Sequence, residues 1–432
     1  MSGGETIFAL ASGAGRAAVA VMRLSGPRSA EALSALCGRC PPPRRASLRR
    51  LRHGGEVLDE ALVLWFPGPR SYTGEDSAEL HLHGGPAVVA AVSEALVALG
   101  LRPAEPGEFT RRAFLNGRMD LTAAEGIADL IAAETEAQRR QALRQAGGAL
   151  ARRIEAWAER LTRLLARQEA FIEFEEEDLP EGLDAAVAAE ALALAEELRA
   201  EIAGSARAEA LREGVRVAIL GAPNAGKSSL LNALAGREAA IVSPLAGTTR
   251  DVVEARILLA GVPVTLADTA GLRETADAIE AEGVRRARAQ AAGADLVLAV
   301  FAADQPPDRE TLALVEGGAI AVVNKVDVAE PPLPGIAVSA LSGVGIEALR
   351  EALSEAVRAR AGLAEAAGLT RPRHRAALAE AVAALDELPA APLPELRAEA
   401  LRAALRALGR ITGRVGVEAV LDAVFAEFCI GK

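Results

Sequence analysis

Lysine is nearly missing from this chain. Of its 48 lysine and arginine residues only three are lysine: Lys227, Lys325 and Lys432. A bias that replaces almost every dispensable lysine with arginine marks the survivors as candidates for work a guanidinium cannot do. Cysteine is scarce too. Cys37, Cys40 and Cys429 form no disulfide framework, which excludes a stapled secreted scaffold and fits a reducing cytoplasm. No uncharged apolar run reaches the roughly 20 residues that span a bilayer. The opening stretch MSGGETIFALASGAGRAA lacks a basic segment followed by an apolar core, so no secretory leader is expected. The hydrophobic content of 51% owes its excess mainly to alanine, a helix former. A positive surplus is also absent. A net charge of −11 argues against general adhesion to nucleic acid, so RNA would be met through a local patch or a basic partner.

A length of 432 residues suggests two or three domains. Residues 1–118 mix short strand-like runs (AVAVMRL, ALVLWFP, AELHLHGG) with turn signals and one helical stretch near 86–99. From 119, apolar residues recur three and four apart through LTAAEGIADLIAAETEAQRRQALRQAGGALARRIEAWAERLTRLLARQEAF, the pattern of long amphipathic helices. The acidic stretch EFEEEDLPEG (173–182) interrupts them, and helix resumes to about 212. VRVAILG (215–221) reads as a buried strand, and strands then alternate with helices to about 355. Long helices return after TRPRHR (370–375). The expected fold class is α/β plus all-α. An α/β domain spans 1–118, and a helical domain comes in two parts, 119–213 and 357–432. Between those parts a second α/β domain, 214–356, is inserted with its two ends close together.

Two of the three lysines fall in recognisable motifs. Gly221 through Ser228, GAPNAGKS, fit G-x-x-x-x-G-K-[ST] between a strand and a helix. Glycines there let backbone N–H groups curl around phosphate oxygens, and the helix N-terminus adds its dipole. Lys227 supplies a compact charge for the β- and γ-phosphates, and Ser228 can ligate Mg²⁺. Asn224, Ala225, Gly226 and Ser229 complete the loop. Further on, VTLADTAGL puts Asp268 at a strand end, where it can hold the metal through water, followed by Thr269, Ala270 and Gly271. Gly271 can offer its N–H to the γ-phosphate. AIAVVNKVD then ends a strand with Asn324, Lys325 and Asp327. A carboxylate at Asp327 can accept two hydrogen bonds from the edge of guanine, and the Lys325 stem can pack on the base plane. Ser339 and Ala340 suit the far side of the base. Four elements in this order, each at a strand end, point to a guanine nucleotide.

A glutamine is missing where Ras-like proteins carry one to orient attacking water: the residue after DTAG is Leu272. Hydrolysis must be assembled differently. In IVSPLAGTTRD (241–251) Thr248 and Thr249 offer hydroxyls, and Thr249 is the natural Mg²⁺ ligand that senses the γ-phosphate. Downstream, LRETADAIEAEGVRR holds Glu274, Asp277 and Glu280, any of which could position water.

GAPNAGKSS, AGTTRD, DTAGLRET…IEAEG, NKVD, the upstream EFTRRAFLNGRMDLTAAEGIADLI and the terminal FCIGK together resemble the MnmE (TrmE) family of tRNA modification GTPases, over essentially the whole chain. The resemblance implies an N-terminal folate-binding and dimerisation domain and an inserted Ras-like P-loop G domain. It implies a homodimer whose G domains pair across GTP, driven by K⁺, with Mg²⁺ as the second ion. Asn224 and Thr248 would give side-chain oxygens to K⁺, and Ser243 and Leu245 carbonyls, where an arginine finger otherwise stabilises transition-state charge. Glu280 matches the family's water-positioning glutamate. Arg23, Glu79 and Arg118 match its folate contacts, with arginine where the family commonly has lysine at position 118. The folate would be 5-formyl- or 5,10-methylene-tetrahydrofolate. The family works with an FAD-dependent partner, MnmG (GidA), in a heterotetramer. The complex adds an aminomethyl or carboxymethylaminomethyl group to C5 of the wobble uridine of tRNAs, with tRNA met mainly through the partner. A cytoplasmic location follows. Cys429 in the terminal CIGK is a candidate catalytic residue, and Lys432 a candidate to complete the folate site from a tail that follows a helix ending near Phe428.

A regulatory GTPase of ribosome assembly shares the G motifs but has no evident use for the flanking domains or the CIGK end. A fission-type membrane GTPase would need a hydrophobic anchor that the chain lacks. Cys37-x-x-Cys40 with His81 and His83 has no known zinc-finger spacing and reads as a surface loop and a strand. The acids from Glu173 to Asp178 read as a solvated interhelical loop. Arg44, Arg45, Arg49, Arg50 and Arg52 form a basic stretch that could touch RNA, although solvated arginines are the default in so arginine-rich a chain. Arg250 could meet nucleotide or partner, or pair with Asp251.

Overall fold

The protein is seen as a computed structural model, which describes residues 4–173, 183–236, 253–268, 293–362, 368–415, 418–426, 428 and 430–431. The N-terminal region runs β1 (Ile7–Leu10), β2 (Ala17–Ser25), α1 (Ser29–Cys37), β3 (Ser47–His53), β4 (Glu56–Phe66), β5 (Ser77–Gly84), α2 (Pro86–Ala98), β6 (Arg102–Pro103) and α3 (Glu108–Leu115). Helices α4 (Leu121–Ala132), α5 (Glu136–Ala146), α6 (Ala149–Glu173) and α7 (Leu183–Glu213) follow. The inserted region runs β7 (Val215–Leu220), α8 (Lys227–Ala235), β8 (Val253–Leu259), β9 (Val262–Asp268), β10 (Leu296–Ala302), α9 (Arg309–Glu316), β11 (Ile320–Asn324), β12 (Ile336–Ala337) and α10 (Ile346–Ala361). Helices α11 (Pro372–Glu387), α12 (Pro394–Thr412) and α13 (Glu418–Ala426) complete the described chain. It forms two compact units: Met1–Ala128 with Gln145–Thr162 and Leu405–Lys432, and Asp129–Arg144 with Arg163–Ala404.

The first unit is organised on a six-stranded sheet of order β3-β4-β5-β2-β1-β6, antiparallel except for the short β1–β6 pair. Strict alternation sorts its faces. Met22 and Leu24 on β2, Val63 and Trp65 on β4, and Leu80 and Leu82 on β5 are buried with Leu33 and Leu36 of α1 and Val92 and Leu96 of α2. The intervening Arg23, Leu62, Glu79 and His81 stand on the opposite face. Pro86 opens α2 at a position where its missing N–H costs nothing. Sequence patterning predicts a single helix in this region, near 86–99, and α2 is there. Helices α1 and α3 are additional; at nine and eight residues they are too short for a periodic signal.

Helix α13 belongs to this unit. Leu421, Val424, Phe425 and Phe428 pack with Leu121 and Ala124 of α4. Gly107 sits so close to α13 that a Cβ there would lie 2.4 Å from the Phe425 carbonyl oxygen. The helix is described to Ala426, in keeping with the expected end near Phe428. The Phe428 N–H turns back to the Phe425 carbonyl at 3.2 Å, with the two rings 5.7 Å apart. Gly431, at φ +98°, lies over the end of β1, where a Cβ would come within 2.2 Å of the Leu10 carbonyl oxygen.

The second unit holds a six-stranded sheet of order β12-β11-β10-β7-β9-β8, parallel except for the antiparallel edge strand β8. Val217, Ile219, Leu298, Val300 and Val322 of its central strands are all fully buried, the near-continuous apolar texture of a sheet covered on both faces. Helices α7 and α11, which flank this region in the chain, pack on each other, with Arg375 bonded to Glu209 at 2.8 Å. Helix α10 continues through position 356 to Ala361. The acidic stretch 174–182 lies outside the described residues.

Candidate functional site

In a parallel sheet, groups beyond the carboxyl ends of neighbouring strands converge. Here β7, β10, β11 and β12 end at Leu220, Ala302, Asn324 and Ala337, and the loop 221–226 follows the first of them. Gly221, at φ +155°, would place a Cβ 2.1 Å from the Val300 carbonyl oxygen of the adjacent strand. Asn224 takes the left-handed conformation at φ 62° and is exposed. Gly226 does the same at φ +87° and opens α8. Lys227, only 7% exposed, folds back over the loop, and its ammonium donates to the Gly221 and Ala222 carbonyls at 2.8 Å each. Ser228 and Ser229 are exposed on the first turn of α8. The arrangement is an anion cradle: backbone N–H groups at a helix N-terminus beside a fixed ammonium.

Asn324 ties this cradle to the loops of the neighbouring strands. Its side chain is 2% exposed. Nδ2 donates to the Ala225 carbonyl at 3.0 Å, and Oδ1 accepts from the Ala340 N–H at 3.0 Å. A Cβ on Gly226 would lie 2.3 Å from that Nδ2, so the glycine is what admits the asparagine. Ser339 is fully buried, and its hydroxyl accepts from the Ser342 N–H at 3.1 Å. Lys325, at φ 66°, pairs with Asp304 beyond β10 at 3.0 Å. Asp327 is exposed in the turn after β11. The structure thus gathers Asn224 to Ser229, Asn324, Lys325, Asp327, Ser339 and Ala340 at one edge of the sheet. Asp304 was not foreseen; it carries no motif and is found only through the pairing of β10 with β11. Ser243, Leu245, Thr248, Thr249, Arg250, Asp251, Thr269, Ala270, Gly271, Leu272, Glu274, Asp277 and Glu280 lie outside the described residues, as does the side chain of Asp268.

A second polar cluster stands on the open face of the N-terminal sheet. Arg23 and Glu79 are direct cross-strand partners on β2 and β5. The guanidinium Nη2 meets Glu79 Oε1 at 2.9 Å, with the side chains 17% and 23% exposed. The same guanidinium lies over the rings of Tyr72 and Phe109, 5.3 and 5.9 Å from their centroids. His81 Nε2 is 3.4 Å from the other Glu79 oxygen. Burial pushes the Tyr72 phenol up, against its hydrogen bond with Thr110 and the nearby Arg23 charge. Arg118 is exposed and lies against Gly74, two residues beyond Tyr72. Beneath them Arg112, almost buried, holds Glu75 at 3.1 Å and Glu108 at 2.9 Å. Burial alone would raise the Glu108 carboxyl, but bonds from Arg102, the Glu105 N–H and Arg112 hold it below the usual carboxylate range. Tyr72, Phe109, Arg112 and Glu75 were missed by motif reading because they meet Arg23 and Glu79 only through the fold. Cys429 and Lys432 lie outside the described residues.

The remaining sequence candidates are accounted for locally. Cys37 and Cys40 pack against the apolar core of the first unit, and burial pushes the Cys37 thiol up to about 11. His83 is bonded through Nδ1 to Asp59 at 2.7 Å. Arg50 pairs with Glu60 across β3 and β4 at 3.4 Å, and Arg44 donates to the Arg70 carbonyl.

The family described as MnmE helical domain matches residues 121–429, and that described as GTP-binding protein TrmE N-terminus matches 6–118. A tRNA modification GTPase MnmE of Gluconacetobacter diazotrophicus is 60% identical over 99% of this chain and 98% of its own length. Its counterpart in Granulibacter bethesdensis is 56% identical over 99% of each. Among solved structures, the G domain of the T. maritima FeoB iron transporter is 27% identical over 33% of this chain and 98% of that one, at a TM-score of 0.26.

Proposed function

Because the chain belongs to the MnmE family of tRNA modification GTPases, we propose that it is a potassium-dependent GTP hydrolase coupled to synthesis at the wobble uridine. With the FAD-dependent partner MnmG it installs an aminomethyl or carboxymethylaminomethyl group at C5, using a methylene-tetrahydrofolate one-carbon unit. It acts in the cytoplasm as a homodimer within a heterotetramer, and tRNA is met mainly through the partner.

The observation that carries this reading is the Asn324 bridge, which locks the phosphate loop to the base-side loop through Ala225 and Ala340. Lys227 waits on two loop carbonyls where phosphate oxygens can replace them. Asp327 selects guanine by accepting from its N1 and N2 hydrogens, and the Lys325 stem covers the base. Glu280 orients the attacking water in place of the absent glutamine.

The residues present suit the two cations. Ser228 offers an exposed hydroxyl on the first turn of α8, and Asn224 an exposed side-chain amide held out by its left-handed backbone. Mg²⁺ would be held by Ser228 and Thr249, and K⁺ by Asn224, Thr248 and the carbonyls of Ser243 and Leu245. Bound there, the ions would supply positive charge to the transferring phosphoryl group.

The N-terminal cluster suits a reduced folate. Glu79 can accept from the amino-pyrimidine edge while Arg23, paired to it at 2.9 Å, holds its carboxylate in place, and the exposed Arg118 can meet a folate carboxylate. Lys432 and Cys429 would complete that site.

Mass spectrometry of wobble uridines in tRNA tests the proposal. A strain lacking this chain should lose the modified nucleoside, and re-expression should restore it. Unchanged nucleosides would overturn the proposal in favour of a purely regulatory GTPase.

A further inference from the structure

The strand pair β8–β9 carries both segments that border the nucleotide. In its register Val253 faces Asp268, so the open end of the hairpin receives the chain from AGTTRD and delivers it to DTAG. Three residues along β8, roughly 10 Å from that end, Arg256 faces Thr265. Arg256 also reaches out of the sheet. Its Nη1 bonds Glu134 Oε1 at 2.8 Å, with side chains 46% and 26% exposed.

Glu134 lies in the turn between α4 and α5, and that turn is fastened firmly. Gln138 Oε1 accepts from the Glu134 and Thr135 N–H groups at 2.9 and 3.2 Å. The Gln138 amide donates to the Leu211 and Arg212 carbonyls at 3.2 and 3.1 Å, at the last turn of α7 before β7. One turn before Ala132, Asp129 pairs with Arg371 at 3.0 Å and with Arg212 at 3.6 Å. Those side chains are 7–19% exposed. The α4–α5 junction therefore holds the chain just before it enters the G domain, at Leu211 and Arg212, and again after it has left, at Arg371.

We propose that the Arg256–Glu134 pair is the positioning contact that carries the nucleotide state of the β8–β9 hairpin to the α4–α5 turn, and through Gln138 and Asp129 to the helices. The inference rests on the reading of 241–251 and 268–271 as nucleotide-sensing segments. A partly exposed ion pair contributes little to folding stability. The hairpin is thus joined by a weak, reversible bond to a turn that is itself rigidly held, which is the arrangement a transmitting contact needs.

Hydrogen exchange of the full chain, read with GDP and with a non-hydrolysable GTP analogue, tests this. In the wild type, protection at 221–228 should report binding. Amides of 129–146 should differ between the two nucleotides by about fivefold or more, the lower end of ordinary coupling. Glu134→Arg and Arg256→Glu should each keep protection at 221–228 and lose the difference at 129–146. The double exchange Glu134→Arg with Arg256→Glu should regain it, a rescue that a merely structural role would not produce. Protection at 221–228 without a difference at 129–146 in the wild type overturns the coupling alone. Absence of both overturns the nucleotide reading with it. A double variant as silent as the singles, or singles that respond like the wild type, overturns the role of the pair.

Discussion

Each unit contains a six-stranded sheet, and the two sheets present their chemistry in opposite ways. The parallel sheet of the G domain hides its strands and works at their ends. Its polar groups ride on tight loops, and glycines at 221 and 226 are required because neighbouring atoms leave no room for a Cβ. The antiparallel N-terminal sheet covers one face and carries its polar cluster on the other. Its polar groups are strand side chains paired sideways, Arg23 to Glu79, with an aromatic floor supplied by Tyr72 and Phe109. A loop site depends on backbone conformation and tolerates few changes. A face site depends on side-chain complementarity and should degrade in smaller steps.

That contrast can be broken most directly at Gly226. Gly226→Ala adds a methyl group 2.3 Å from Asn324 Nδ2 at a positive φ. Strain of about 1 kcal/mol and loss of the Asn324 bonds at about 1–2 kcal/mol together predict roughly 10²-fold weaker GTP binding by calorimetry. Near-normal affinity would mean that the loop is more plastic than the packing suggests. A smaller step is expected on the sheet face. Glu79→Gln leaves Arg23 without its countercharge, and partial exposure limits the cost to about 1 kcal/mol. The N-terminal melting transition should fall by a few degrees and reduced-folate binding should weaken, with GTP turnover unchanged. A fall in GTP turnover would deny the two sites their independence.

The smallest effect sharpens the comparison. Tyr72 is the single tyrosine of the chain, so ultraviolet titration reads it alone. Burial raises its folded-state value, so the folded protein holds the phenolic proton more tightly than the unfolded chain does. The resulting stabilisation is fully present below the unfolded value of about 10 and is lost as pH rises through the folded one. The absorbance midpoint should lie above that of the denatured chain. Coincident midpoints would show that the aromatic floor is open to water.

The same contrast governs how much could be read from the sequence. The clustering of Gly221 to Ser228 with Asn324 to Asp327 was legible because both follow fixed local spacings set by strand–loop–helix geometry. Asp304 escaped, since only sheet order brings it to Lys325. On the N-terminal face, Arg23 and Glu79 stand 56 residues apart, and their meeting is fixed by register rather than spacing. A family resemblance supplied them; the residues alone would not have. Tyr72, Phe109, Arg112 and Glu75 had no signal at all, because what joins them is packing. Helix α6 was plain from its period, whereas α1 and α3 were too short to show one.

The seam between α13 and the N-terminal domain has a consequence for how the protein is made. Phe425 closes on Gly107, and Gly431 on Leu10, across more than three hundred residues of intervening chain. A ribosome adding about 5–20 residues per second produces β1 well before the segment that covers it. The G domain can emerge and collapse during that interval, while the first-made domain still waits for a partner synthesised later. The first-made part of this unit, with Leu121 and Ala124 at its end, therefore keeps an apolar seam uncovered for many seconds until α13 is synthesised.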